Sequence, residues 1–469
     1  MPTRLLHITP SSGGTDDTPY VRLVLTGPEF SKDTEFAALS YCWGGRHGLQ
    51  LEESNYQSLM EHIPFDKLPA TIQDSIRVTI ELGLQYLWVD ALCIIQNQDS
   101  NKYWTEEAGK MCDIYQGCSI AIAASGASNS TEGLFAARDP LQQAECLIGT
   151  SLITLRLEPY RPQARDWALD TRGWALQEEI LPARSIRFGS YVSWTCRELS
   201  VNEFGQIENE REEGNLPRDF FTRILEPQPA NPVDEGETYE LWRRIMYRYT
   251  STKLSERSDR LVAIEGLRSA FEKRTGWACA GGLWQSFIMR ELLWCRIGAE
   301  PSGLRPSWSW ASMDGTLRLC PKQTDGYKDI AKLVGVSPSS GGRVAFDSPR
   351  TLELSGVLCR TGETSSRLWL KLSLFGEGWP DNRLYATYDD KTRMWMEGDM
   401  GLPLRADEYS GLDGLIVVPG RGSGTYKRVG YFFTVPMSKA SGARVVERLV
   451  RSLEGSSEEP SIHQNLQLV

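Results

Sequence analysis

The chain has 469 residues, of which 41% are hydrophobic and 24% charged, and a formal net charge of −10. At roughly 100–200 residues per domain that length implies two or three units, and the composition is that of a globular polypeptide. The acidic balance argues against a nucleic-acid partner held by phosphate contacts.

The opening MPTRLLHITPSSGG lacks the apolar stretch of a signal peptide. No apolar run approaches the ~20 residues of a membrane span. The 10 Cys are scattered, which reads as buried thiols of a cytoplasmic protein rather than a disulfide frame. Asn129-Ser130-Thr131 fits a glycosylation sequon that stays silent without secretion.

FAALSYCW (36–43) is apolar and runs into Gly44-Gly45, the pattern of a buried strand leading to a loop. Ile72, Ile76, Ile80 and Leu84 recur every four residues, which predicts a helix over 71–84 with Thr71 as N-cap. YLWVDALCII (86–95) reads as a central strand broken by Asp90. Residues 103–117 carry Trp104, Ala108, Met111 and Tyr115 on one helical face and stop at Gly117. CSIAIAAS (118–125) is a further strand, 145–158 a hairpin, and 171–181 a short helix ended by Pro182. SIRFG and YVSWTC (185–196) complete the series. This alternation predicts an α/β unit with a mostly parallel sheet and flanking helices over residues 1–202, with its core at about 36–196.

Residues 203–237 are rich in Glu, Pro, Gly and Asn and read as a linker or insertion. A helical region is expected over 238–320, and a β-rich region over 321–440. A C-terminal helix and a polar, disordered tail are expected over 441–469. Trp308 and Trp310 are expected to pack the helical and β parts together.

Several residues invite a chemical reading. At 100° per residue along 171–181, Glu178 falls about 40° from Trp174, at the edge of an apolar stripe, whereas Glu179 faces solvent. A carboxylate in that position is partly desolvated, so its pKa should rise unless Arg172 pairs with it. Asp90 ends an apolar strand, where ligands bind in open α/β sheets, although it equally suits a buried backbone cap. Tyr41, Trp43 and Gly44 share that rim; the aromatics could stack a base or fill the core. Cys93 reads as a small buried hydrophobe. The 4 His have no metal spacing and no metal or resident cofactor is expected. Gly420–Gly424 lacks the full G-x-G-x-x-G and reads as a hairpin turn.

Four stretches in order, ALSYCWGG (38–45), LWVDALCIIQNQD (87–99), WTEEAGKMCDIYQGC with the following AIAAS (104–125) and TRGWALQEEILPARSIRFG (171–189), closely resemble the heterokaryon incompatibility (HET) domain family. YTSTKLSERSDRLVAIEGL (249–267), AGGLWQSFIMRELLW (280–294), RPSWSWASMDG (305–315) and YKRVGYF (426–432) resemble the portion that commonly follows that domain. The resemblance implies fungal non-self recognition and regulated cell death, with self-association or another incompatibility protein as partner. It also implies a distant TIR-like, flavodoxin-like fold. Trp174-Ala-Leu-Gln-Glu178 resembles the W-x-x-x-E of TIR domains. By that likeness Glu178 is the catalytic carboxylate of a NAD hydrolase, NAD being a substrate, and Tyr41, Trp43, Gly44, Asp90, Arg172 and Trp174 line its ligand site. The alternative is a non-catalytic self-association or partner-binding module.

Overall fold

The structure, a computed structural model, describes residues 1–11, 18–27, 30, 33–45, 48–96, 110–135, 144–148, 151–155, 167–205, 216–226, 234–302, 305–319, 328–337, 351–356, 359–364, 367–371, 383–390, 396, 399–407, 411–435 and 464–469. It divides into two compact units. One is Met1–Leu241 with Thr252–Leu254 and Val262–Arg274; the other is Trp242–Ser251 with Ser255–Leu261 and Thr275–Val469.

The strands of the first unit are β1 (Arg4–Thr9), β2 (Tyr20–Leu25), β3 (Ala37–Ser40), β4 (Tyr86–Trp88), β5 (Ile120–Ala123), β6 (Ala144–Ile148), β7 (Ser151–Leu155), β8 (Arg184–Phe188), β9 (Val192–Cys196) and β10 (Ser200–Asn202). Eight of them form one sheet in the order β10-β9-β8-β5-β3-β4-β1-β2. The inner four, β4, β3, β5 and β8, are parallel, as the alternation of apolar runs and helices predicts. In chain order those four lie second, first, third and fourth, so the winding reverses between β3 and β5. The outer strands β1, β2, β9 and β10 pair antiparallel. Strands β1 and β2 escape the sequence reading because six-residue runs without an adjoining helix carry little periodic signal. Strands β6 and β7 form the expected hairpin.

All four residues of β3 are buried, as befits a strand flanked on both sides in a parallel sheet, where alternation gives way to a continuous apolar run. Helix α1 (Tyr56–Glu61) follows it and buries Leu59. Helix α2 (Ala70–Glu81) buries Ile72 and Ile76 as predicted, but also Thr71, Ser75 and Thr79. Thr71 is not the N-cap. Pro69 holds that position, and the Thr71 hydroxyl accepts from the amide of Gly133 at 3.2 Å.

The run 86–95 is not one strand. It leaves the sheet after Trp88 and coils into a helical turn, α3 (Asp90–Cys93), because Asp90 Oδ1 accepts from the Ala91 amide at 2.7 Å and the Cys93 amide reaches Val89 O at 2.7 Å. Residues 110–117 form helix α4, with Met111, Ile114 and Tyr115 turned inward; Trp104 and Ala108 lie outside the described residues. Helix α5 (Ala175–Ile180) buries Leu176, Gln177, Glu178 and Ile180. Within the stretch expected to be a linker, residues 216–225 are helical, and Phe220 packs its ring 5.8 Å from that of Phe271.

In the second unit, ten strands of the described residues form one sheet. Its pairings are antiparallel apart from Thr425–Val435 with Gln464–Leu468. The tail expected to be disordered therefore ends as a paired strand; the helix expected over 443–453 lies outside the described residues. Gly420–Gly424 is the predicted turn between Gly411–Pro419 and Thr425–Val435. Trp308 and Trp310 are fully buried. The Trp310 indole donates to Gly282 O at 2.8 Å, the Trp294 indole to Trp308 O at 2.9 Å, and Ser307 Oγ accepts from the Arg428 amide at 3.0 Å. The tryptophan motif thus ties helical to β segments within this unit.

Arg428 anchors that junction. Its side chain is 0% exposed. It donates to both Asp389 oxygens at 3.0 and 3.1 Å, to Leu292 O at 2.6 Å and to Trp294 O at 2.6 Å. The guanidinium also lies 3.3 Å from the Trp294 ring centroid. Removing the fork leaves Asp389 and two carbonyls buried without their donor, and breaking such a pair costs about 3–5 kcal/mol. Arg428→Lys keeps the charge but not the planar fork, and is expected to lower stability by about 3 kcal/mol in denaturant titration. A change below about 0.5 kcal/mol would contradict this account.

Candidate functional site

The carboxyl ends of β3 and β5, where the winding direction reverses, lie against helix α5. In open α/β sheets this is where a crevice forms and ligands bind. Ser40, the last residue of β3, donates its hydroxyl to Glu178 Oε2 in a short hydrogen bond. Tyr115, from α4, donates to Leu39 O at 3.0 Å and also hydrogen-bonds the Glu178 carboxyl.

Glu178 is 8% exposed. Burial pushes its pKa up to about 7, against the bond from Ser40 and the nearby charge of Arg172, while Asp90 adds to the rise. The expectation of a raised pKa beside an apolar stripe thus has a physical cause in place. Arg172 donates to Tyr41 O at 2.6 Å. It is held in place by residues 252–254: the Gly173 amide donates to Lys253 O at 2.8 Å and the Lys253 amide to Thr171 O at 2.6 Å. A Cβ on Gly173 would come within 2.6 Å of Leu254.

Asp90, half-buried at the start of α3, accepts from the Trp43 indole at 2.8 Å and from the Tyr41 hydroxyl. Burial raises its pKa, opposed by those bonds and by Arg172. The phenol of Tyr41 is 5% exposed and its pKa is raised well above the usual value by burial and then by Asp90. Tyr41, Trp43, Asp90, Arg172 and Glu178 therefore come together in one network. Trp174 is half-buried at the N-terminal cap of α5. Gly44 is exposed at φ +75°, and a Cβ there would sit 2.0 Å from the Asn129 side chain, so its role is to let two loops approach. Cys93 is buried, and burial pushes its thiol up to about 12, as expected of an inert thiol.

Glu179 is not solvated as its helical angle suggests. Its carboxylate lies 3.3 Å from Arg187, and its side chain is 18% exposed. Arg187 makes a second, closer ion pair with Asp170 and donates to Ser125 Oγ at 3.2 Å. The helical wheel fails here because α5 is covered on its outer side by Arg187 from β8 rather than by water. Ser40, Tyr115, Asp170 and Arg187 escape the sequence reading. The one available signal was a polar residue inside each otherwise apolar run. Ser40, Asp170 and Arg187, with Ala123 and Glu178, line a narrow cleft that has room for about one water molecule.

No group of three or more His, Cys, Asp or Glu among the described residues is placed to hold a metal. No helix among them is long and apolar enough to cross a membrane.

The fold and site define an α/β domain with a buried carboxyl at the switch point of its sheet. Residues 36–178 match the Heterokaryon incompatibility protein (HET) family, and the chain carries a HET domain over that segment. No curated protein and no solved structure matches the chain.

The burial of Glu178 has a consequence for stability. Its folded pKa of about 7 exceeds the unfolded value of about 4.3. The folded state therefore binds the extra proton between those pH values, and stability falls as pH rises through that window. The ionised carboxyl costs about 3 kcal/mol at pH 8. Glu178→Gln should remove this fall and leave the protein more stable than wild type at pH 8, with little difference at pH 4. Denaturant titrations across pH 4–8 test it; parallel curves for the two proteins would refute it.

Proposed function

We propose that this HET domain serves non-self recognition and regulated cell death of the fungal type, through a nucleotide-cleaving cleft centred on Glu178. The observation that carries the reading is a carboxyl poised near neutrality at the carboxyl-end switch point of a parallel sheet. The second-first-third-fourth order of the inner strands supports a flavodoxin-like, TIR-like relationship. A pKa near 7 suits a group that exchanges a proton at neutral pH.

In the proposed reaction, NAD and water give ADP-ribose, nicotinamide and a proton. The ribose C1′–nitrogen bond breaks and its electron pair leaves with nicotinamide. Ionised Glu178 stabilises the oxocarbenium-like ribose, much as carboxylates do in glycoside hydrolysis. Water then adds to C1′ and yields its proton to Glu178. Ser40 and Tyr115 orient the carboxyl; Asp90, held by Trp43 and Tyr41, is within reach of a ribose bound at the same rim.

A second reading has its own support. The cleft has room for about one water molecule, and Glu178 is bonded on two sides, which suits a module that acts by binding a partner. The two readings separate on one measurement. Purified full-length protein is incubated with NAD under crowding conditions, and nicotinamide is quantified. On the enzymatic reading Glu178→Gln lowers turnover by about 10²–10⁴-fold, and Glu81→Gln, at the exposed end of α2, leaves it unchanged. Absence of nicotinamide release from wild type would leave the partner-binding reading standing.

A further inference from the structure

We propose that residues 252–254 are a latch on the Glu178 site: paired with 171–173 they hold Arg172 beside the carboxyl, and on release they let it withdraw. The proposal rests on the reading of Glu178 as the functional group and names the device that regulates it.

The latch is small. Lys253 makes both of its backbone bonds, and the two straddle Arg172. The Lys253 amide donates to Thr171 O at 2.6 Å, and the Gly173 amide donates to Lys253 O at 2.8 Å. They form an isolated parallel bridge outside any named strand, the kind of contact that opens locally without global unfolding. Packing makes the bridge specific. A Cβ on Gly173 would lie 2.6 Å from Leu254 and 3.3 Å from the Thr252 hydroxyl. Residues 252–254 belong to the first unit, but the chain enters and leaves them through Ser251 and Ser255, which belong to the second. They also lie beyond the matched family segment, which ends at residue 178.

The latch holds a break in a helical run. Residues 169–171 form a 3₁₀ turn, 175–180 form α5, and Trp174 between them has helical angles. Arg172 is extended, at φ −94° and ψ 135°. Both latch bonds act at that break. Without them the turn and α5 can join into one helix, and the side chain at 172 then leaves the backbone in another direction. Two discrete arrangements of one element are what a switch requires. In the latched state Arg172 donates to Tyr41 O at 2.6 Å, and its charge opposes the effect of burial on Glu178. Glu178 also meets the hydroxyls of Ser40 and Tyr115 and the charge of Asp90, and Tyr41 and Cys42 face both Glu178 and Arg172. Asp170, Glu179 and Arg187 line the narrow cleft beside it, with Arg187 paired to both acids. Release withdraws the charge of Arg172, so burial and Asp90 then hold the carboxyl neutral to higher pH.

The test uses the full chain without nucleotide: denaturant titrations across pH 4–9, and amide exchange resolved to single residues. In wild type the Gly173 and Lys253 amides should exchange through local opening, at least about tenfold faster than the amides of β3. Exchange of those two amides only by global unfolding would show that the latch does not open, and would overturn the proposal. Gly173→Ala sets a Cβ against Leu254 and favours the joined helix; Lys253→Pro deletes the amide that meets Thr171 O. Each should speed exchange at 171–173 and carry the pH-linked fall in stability about one pH unit higher, the scale of losing a nearby opposite charge. Arg172→Gln should move the fall by the same amount with the Lys253 amide still protected, and should add nothing further in the Gly173→Ala background. Leu254→Ala makes room for the added Cβ and should return the Gly173→Ala protein towards the wild-type pH dependence. Faster exchange in the latch variants with an unmoved pH dependence, or an unmoved pH dependence in Arg172→Gln, would overturn the proposal. If the latch variants do not fold, wild-type exchange and Arg172→Gln decide the matter. Nicotinamide release enters none of these measurements, so the latch and the hydrolase reading fail separately.

Discussion

The HET domain is organised around a carboxyl taken out of water at the end of its most buried strand. Glu178 sits where β3 and β5 diverge, bonded to Ser40 and Tyr115, and each neighbouring element contributes something to that arrangement. Strand β3 must end in a hydroxyl rather than another aliphatic group. Helix α4 must direct a tyrosine inward. The 171–173 segment must present Arg172, which it does only because residues 252–254 pair with it. A polypeptide distant in sequence thus completes the environment of a group lying within residues 36–178.

Glu178 and Glu179 are adjacent in sequence and opposite in circumstance. The first lies against the sheet end, where burial dominates and the neutral form is favoured. The second pairs with Arg187. Two adjacent positions of one short helix thus place one carboxyl in a desolvated setting and the other in an ion pair. Burial of Glu178 outweighs the bond from Ser40 and the charge of Arg172, so its ionised form is incompletely compensated.

The second unit treats its buried charge in the opposite manner. Arg428 is saturated by Asp389 and by the carbonyls of Leu292 and Trp294, with an aromatic face against the guanidinium. Every donor of the fork that points inward meets an acceptor, so the charge specifies how strands and helical segments join rather than remaining available for chemistry. The tryptophan motif at 307–310 meets the same junction through Ser307.

Periodicity and strand–helix alternation determined the parallel sheet, its three central strands and the helices that cover it, because burial on both faces forces continuous apolar runs. They also singled out Glu178 and Asp90, since an acid inside or beside such a run is conspicuous. Tertiary structure alone decided the rest. The antiparallel strands β1, β2 and β10 are set by pairing partners that leave no periodic mark. Asp90 starts a helical turn instead of extending a strand because its own carboxylate captures the next amide. Glu179 is paired because β8, arriving from later in the chain, lays Arg187 over a helix face that the wheel assigns to solvent. Ser40 and Tyr115 read as ordinary members of a strand and a helix. Their importance is a matter of which side chain stands across from them, and that is a long-range contact no local pattern encodes.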